Sequence, residues 1–150
     1  MLWRSTRIDP LDASIFHLSL PAKDLAATSR FYCDVLGAVR GRATCQWIDL
    51  IVFGHQVTFH ERPDEVRTEA DQGVQHFGAV LEQTAWRALR DRIVAVGWPC
   101  VMPPTVFSEG TSDEHAKVML RDPNGHLIEI KASRDITTVI PPSRMVDARP

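Results

Sequence analysis

Two histidines and one glutamate, far apart along the chain, have the residue types of a metal centre. His17 and His76 lie in two similar segments, and Glu129 lies between two isoleucines in a third. Imidazole nitrogen and carboxylate oxygen bind Fe(II), Mn(II), Ni(II), Co(II) or Zn(II), and three such ligands leave positions open for substrate, water or dioxygen. The set contains no sulfur ligand, which argues against a structural zinc site. We therefore predict that His17, His76 and Glu129 bind a divalent metal ion.

All three residues lie at positions that an internal repeat relates to a position in the other half of the chain. This coincidence favours the interpretation that they are metal ligands. A single histidine on a strand is more often a structural core or rim residue, whereas a buried carboxylate such as Glu129 needs a partner or a cation. The repeat pairs these segments: 16–20 with 75–80, 24–36 with 84–96, and 54–60 with 125–131. It aligns His17 with His76 and Thr58 with Glu129.

The repeat predicts an α+β fold of two βαβββ modules that pair into a curved half-barrel sheet with a concave metal site. Apolar and polar residues alternate over 15–20, which is typical of a strand. The stretches 24–36 and 84–96 have apolar residues at helical spacing and run into Gly37 and Gly97. Asp122-Pro123-Asn124-Gly125 predicts a tight turn between two strands. Residues 103–114 predict a polar loop, for which a lid over a substrate and an ordinary mobile loop are both open interpretations. If the strands pair as the repeat implies, the side chains of all three predicted ligands point into the concave face.

The expected organisation is one domain with two short extensions. The boundaries are 13–133 for the domain, 13–62 and 74–133 for its two modules, 1–12 for an N-terminal extension and 134–150 for a C-terminal tail. A chain of 150 residues matches the usual size of a single domain.

The composition excludes several classes of protein. Lys plus Arg is 17 and Asp plus Glu is 19, which gives a net charge of −2 and argues against a nucleic-acid binder. Three cysteines without a CxxC pattern fit a reducing compartment. Residues 1–16 contain no apolar core of signal-peptide length, and no stretch approaches the ~18 apolar residues of a membrane span. We expect a cytoplasmic protein that acts on a small molecule, with no nucleic-acid or membrane partner.

The same residues carry a resemblance to a known family. His17, His76 and the segment 122–129, with the sequence DPNGHLIE, resemble the vicinal oxygen chelate superfamily over residues 13–133. That superfamily includes glyoxalase I, type I extradiol dioxygenases, fosfomycin-resistance proteins and bleomycin-binding proteins. Residues 47–56 are similar to a bacterial subgroup of predicted extradiol-dioxygenase-like proteins. The resemblance implies a mononuclear metal-dependent enzyme, and proteins of this type often form homodimers.

Four positions bear on which reaction the resemblance implies. Glyoxalase I has a fourth ligand and base at the place of Thr58, and a hydroxyl serves poorly in both roles. His60 resembles the histidine near the metal in extradiol dioxygenases, where an imidazole can accept a substrate proton or stabilise bound superoxide, although a solvated strand end explains His60 equally well. Those dioxygenases usually have a tyrosine where this chain has Met119, and a further histidine has only an imprecise counterpart in His115.

Three hypotheses follow. The first is an extradiol-type dioxygenase, an oxidoreductase that uses Fe(II), binds a substrate through adjacent oxygens and employs His60 as its catalytic residue. The second is a metal-dependent lyase, isomerase or thiol transferase of the glyoxalase or fosfomycin-resistance type. The third is a non-catalytic small-molecule-binding protein, against which the presence of all three ligands argues.

Overall fold

The computed structural model describes residues 14–136 and residue 139. These residues form two successive βαβββ modules, joined by a segment that holds one 3₁₀ turn at Pro63–Glu65 and a short helix. The elements in chain order are β1 His17–Ala22, α1 Leu25–Asp34, β2 Val39–Ala43, β3 Trp47–Val52, β4 His55–Glu61, α2 Glu69–Gln72, β5 Phe77–Glu82, α3 Gln83–Val96, β6 Cys100–Phe107, β7 His115–Arg121 and β8 Leu127–Ser133. The predicted α+β fold of two such modules is confirmed.

Each module contributes one four-stranded mixed sheet, and the two sheets have the same topology. The strand orders are β1-β4-β3-β2 and β5-β8-β7-β6. In each sheet the first strand runs parallel to the fourth, and the other neighbours are antiparallel. The described strands do not close into a barrel, so β1 and β5 each remain the end strand of their own sheet.

One helix covers one face of each sheet and leaves the opposite face, the open face, without a helix in the described part of the chain. In the first module α1 places Tyr32 against Phe59, with ring centroids 4.7 Å apart. In the second module α3 buries Trp86, whose indole N–H donates to the backbone oxygen of Ile130 at 3.2 Å. Residues on the open face alternate with these core residues because successive strand side chains point to opposite faces.

The start of α1 and the end of α3 lie where the sequence indicates, whereas α1 ends at Asp34, before the predicted residue 36, and α3 begins at Gln83, one residue early. The side chain of Asp24 accepts a hydrogen bond from the Ala27 N–H and caps α1, which is a preferred role of aspartate. At the end of α3, Gly97 has a φ of 71° and its N–H donates to Ile93 and Val94. That left-handed conformation favours glycine.

Strand β6 differs from the sequence-based expectation. The sequence predicts a loop over residues 103–114, yet residues 103–107 continue β6 as far as Phe107. The strand is at the edge of its sheet, where the missing proline N–H breaks no ladder between two neighbours, and its pairing with β7 shows two register shifts. The expectation of a loop from 103 is therefore wrong, and the polar loop is limited to residues 108–114.

The turn before β8 also joins the two modules. The Tyr32 hydroxyl of α1 donates to the Asp122 carboxylate at 3.1 Å, and the Lys23 N–H donates to the Asn124 side-chain oxygen at 2.8 Å. Nε2 of His126 lies 2.7 Å from the backbone oxygen of Pro21. Segment 122–126 thus connects β7 to β8 and fixes the second module against α1 and β1.

The alkaline titration of Tyr32 is expected to coincide with unfolding. Burial raises the pKa of Tyr32 well above its usual value, and the neighbouring Asp122 carboxylate raises it further. The pKa of Tyr32 is higher in the folded state than in the unfolded state, so the protonated, buried hydroxyl contributes to stability. This contribution is complete below the unfolded pKa of about 10 and declines as the pH rises above it. The sequence has one tyrosine, so tyrosinate absorbance reports this residue alone. Absorbance that appears near pH ~10 without loss of circular dichroism would contradict the expectation.

The predicted extension 1–12 and most of the predicted tail 134–150 lie outside the described residues. Within the described part of the chain, no helix is both long enough and apolar enough to span a membrane.

Candidate metal centre

His76 and Glu129 come together at the edge of the second sheet. His76 immediately precedes β5, and Glu129 lies in β8, directly opposite Gly78 of β5. Nε2 of His76 is 3.4 Å from Oε2 of Glu129. A Cβ atom at position 78 would collide with the backbone oxygen of Glu129, so glycine at this position allows the two strands to approach closely. The parallel pairing of β5 with β8 therefore positions two of the three predicted ligands side by side.

The His76 ring is held in the form that binds metals. Its Nδ1 is 2.7 Å from the backbone oxygen of Val74, and since a carbonyl can only accept, Nδ1 carries the proton. In the neutral ring the lone pair is then on Nε2, next to the Glu129 carboxylate. Metal-binding histidines usually donate their other ring N–H to a carbonyl or carboxylate in this way.

The spacing of His76 and Glu129 suits two ligands of one cation better than a hydrogen bond. A charge-assisted N–H···O⁻ contact is usually about 2.7–2.9 Å long, which is shorter than the 3.4 Å observed. Ligand atoms that each lie about 2.1 Å from one ion are separated by roughly 3.0–3.4 Å. Nitrogen and oxygen donors at this separation fit a divalent metal of the predicted kind.

Two lysines keep Glu129 ionised. The residue is 9% exposed, and its carboxylate oxygens lie 3.1 Å from Nζ of Lys131 and 3.4 Å from Nζ of Lys117. Partial burial acts to raise the pKa of Glu129, but the hydrogen bonds and charges of the two lysines outweigh burial and lower it. The carboxylate is therefore negative, as a metal ligand must be.

His17 lies in the other sheet. It is the first residue of β1 and pairs with Gln56 of β4 on the open face of the first sheet, where it is exposed. Within residues 14–136 no group of three or more His, Cys, Asp and Glu side chains is arranged to hold a metal ion. A single copy of the chain thus assembles His76 with Glu129 but does not bring His17 to them.

A cleft of about 390 Å³ between the modules gives access to His76. Leu18 and Leu20 of β1 line the cleft together with His76 and Phe77. The His76 side chain is 40% exposed, so a solute can reach it.

Comparison with known proteins places the chain in a family. The sequence profile of the Glyoxalase/Bleomycin resistance protein/Dioxygenase superfamily matches residues 14–130, which include His17, His76 and Glu129. The chain belongs to this superfamily. Most members of the superfamily are enzymes, among them lyases, transferases and dioxygenases.

Solved structures of superfamily members share the fold. A glyoxalase/bleomycin resistance protein/dioxygenase from Alicyclobacillus acidocaldarius is 30% identical with a TM-score of 0.71, over 82% of this chain and 93% of that one. The fosfomycin resistance protein FosX from Listeria monocytogenes is 18% identical with a TM-score of 0.62, over 81% and 93%. A lactoylglutathione lyase from Agrobacterium tumefaciens is 18% identical with a TM-score of 0.58, over 81% and 95%. No curated protein matches the sequence.

Thr58 forms a hydrogen bond within its own sheet. Its hydroxyl donates to Asp49 Oδ1 at 2.6 Å, and Arg42 binds the other oxygen of Asp49 at 3.0 Å. Burial acts to raise the pKa of Asp49, but the hydrogen bonds of Thr58 and Arg42 and the charge of Arg42 lower it overall. Asp49 was not among the predicted site residues, although a single charge within the apolar strand 47–52 was a signal for it.

His60 shares the open face of the first sheet with His17. It is half-buried, lies two residues beyond Thr58 on β4, and pairs with Pro21 of β1 and Trp47 of β3. His17 and His60 are therefore at opposite ends of the parallel β1·β4 pair.

No tyrosine lies beside Glu129 in the described structure. Met119 occupies the position directly opposite Glu129 in the β7·β8 pair. The single tyrosine, Tyr32, is buried against Asp122 on the other side of the sheet. His115 lies four residues before Met119 on β7, where its ring stacks on Phe107 at 5.0 Å. Neither residue replaces the hydroxyl that Met119 lacks.

Proposed function

We propose that this chain is a mononuclear metal-dependent enzyme whose metal ion is bound by His17, His76 and Glu129. The observation that carries the proposal is the arrangement of His76 beside Glu129 in the second module. Val74 fixes the His76 ring with Nε2 free, and two lysines hold the neighbouring carboxylate in its charged form. A divalent ion at this site would polarise a small substrate bound through two adjacent oxygens.

We further propose that His17 comes from a second copy of the chain. The end strands β1 and β5 belong to separate sheets, and an unpaired strand edge can accept another chain. In a two-fold homodimer, β1 of one copy can lie beside β5 of the other and bring His17 to His76 and Glu129. Two identical sites result, because a two-fold interface repeats each contact.

The first module would then provide the proton-transfer group. His60 lies on the same open face as His17, so both would face the same cavity. Thr58 is engaged with Asp49 and is not a carboxylate, so it does not act as a base. His60 would accept a proton from a substrate hydroxyl. This arrangement favours the dioxygenase-like reaction over the glyoxalase-type one.

Oxygen uptake with Fe(II)-loaded protein and a panel of catechols tests the reaction. We expect His60→Gln to retain metal but to lower kcat by about 10²–10⁴-fold, which is the usual contribution of a general acid or base. His55→Gln is the matched control, since His55 is at the other end of β4 and accepts a hydrogen bond from the Phe16 N–H.

Other outcomes would assign a different function. Turnover of the metal-loaded protein under argon would indicate a lyase, isomerase or transferase. Tight ligand binding that persists in the presence of a chelator would indicate a binding protein without a catalytic metal.

Mixing two inactive variants tests whether the site is shared between copies. His17→Ala and His76→Ala homodimers are each expected to lack complete sites. A mixed dimer has one intact site, formed by His17 of one copy and His76 of the other. Random co-assembly is therefore expected to restore roughly a quarter of the wild-type metal and activity. If all ligands come from one copy, mixing restores nothing.

A further inference from the structure

Two lysines lie directly opposite each other beside the proposed metal centre. Lys117 of β7 pairs with Lys131 of β8, on the same face as Glu129. The sequence has three lysines in all, so two of the three meet at this position. Like charges directly opposite each other destabilise a sheet, and this arrangement therefore calls for a counter-charge.

Glu129 supplies that counter-charge for both lysines. Nζ of Lys131 contacts one carboxylate oxygen at 3.1 Å and Nζ of Lys117 contacts the other at 3.4 Å. If the carboxylate also binds a divalent cation, one negative charge faces two ammonium groups and a metal ion. An excess of positive charge then remains at a partly buried site, where it is only weakly screened.

We infer that the substrate is a small oxyanion and that Lys117 and Lys131 bind its charged group. This inference rests on the proposed metal centre. The two side chains are 34% and 53% exposed, so their ammonium groups are accessible. Their Nζ atoms contact the Glu129 carboxylate oxygens at 3.1 and 3.4 Å, so both ammonium groups lie immediately beside the proposed metal position. This proximity suits a compact molecule that has its adjacent oxygens on the metal and a carboxylate, phosphonate or phosphate on the lysines.

Inorganic phosphate is the probe that tests the inference. Calorimetry on Mn(II)-loaded protein is expected to show phosphate binding that Lys117→Met and Lys131→Met each weaken about 10- to 100-fold, the loss expected for one hydrogen bond to a charged group. Lys131→Arg keeps the charge and is expected to retain most of the affinity. Lys23→Met is the matched control, because Lys23 is exposed and its recorded contact is made by its backbone N–H.

Mn(II) binding, followed by electron paramagnetic resonance, separates this inference from the proposed function. Stoichiometric Mn(II) with unchanged phosphate affinity in both methionine variants would overturn the inference and leave the metal centre intact. That outcome would mean that the two lysines only position Glu129. Their replacement would then change the affinity for Mn(II) but not the affinity for phosphate. Wild-type protein that binds no Mn(II) would overturn the proposed function and, with it, the inference.

Discussion

Replacing His76 with alanine is expected to abolish stoichiometric metal binding and activity without unfolding the protein. The ring is 40% exposed, and its recorded contacts are with Val74 and Glu129, so its removal takes little from the core. Loss of an outer-shell partner already weakens metal binding about 10- to 100-fold, and loss of a direct ligand is expected to cost more. Metal content after dialysis, measured by elemental analysis, and the free energy of unfolding check the two parts separately.

His115→Ala is the matched control for His76→Ala. His115 is also an exposed histidine of the second module, and its ring packs on Phe107 rather than beside Glu129. The control is expected to bind metal as tightly as the wild type. Full metal content in His76→Ala, with affinity equal to that of the control, would show that the His76–Glu129 pair is not the metal site.

The fold was largely predictable because its signals are local. Period-two alternation identified β1, and Gly97, which has the expected left-handed conformation, marked the end of α3, whereas α1 already ends at Asp34, before Gly37. The repeat then required the same order of elements in both halves. The second half of strand β6 was not predicted as a strand, because the prolines at 103 and 104 obscure a strand pattern. They are tolerated because β6 lies at the sheet edge. That position depends on tertiary structure, which no local pattern reports.

The candidate site was predictable only within one module. The repeat indicated His76 and Glu129, and the parallel pairing of β5 with β8 brings them together. The repeat states which residues are equivalent but not how the two modules meet, so it could not reveal that His17 lies in a separate sheet. The lysine pair was missed for a related reason. Lys117 and Lys131 each look like a solvated strand residue until the register places them opposite each other.

Replacing Asp122 with alanine is expected to cause the largest loss of stability among the substitutions considered. The carboxylate is 4% exposed and accepts hydrogen bonds from the Tyr32 hydroxyl, the Asn124 side chain, and the backbone N–H groups of Asn124 and His126. A buried donor that loses its acceptor costs about 1–3 kcal/mol. Since alanine deprives several donors at once, we expect a loss of about 3–5 kcal/mol in urea unfolding.

Asp113→Ala is the control for this substitution. Asp113 is exposed in the loop 108–114, and its backbone oxygen, rather than its carboxylate, contacts His115. Removal of its side chain is expected to change stability by no more than about 0.5 kcal/mol. Equal effects of the two substitutions would show that the Asp122 network contributes nothing beyond an exposed carboxylate.

A double-mutant cycle with Tyr32→Phe assigns part of the loss to the joint between the modules. The Tyr32–Asp122 contact runs from α1 to the turn before β8, so it couples the first module to the strand that holds Glu129. We expect a coupling energy of about 0.5–3 kcal/mol, as is usual for buried residues in contact. Because β8 begins five residues after Asp122, Asp122→Ala should also weaken metal binding in the protein that remains folded. Unchanged metal affinity in that variant would mean that the pairing of β8 with β5 and β7 holds Glu129 in position without the Asp122 network.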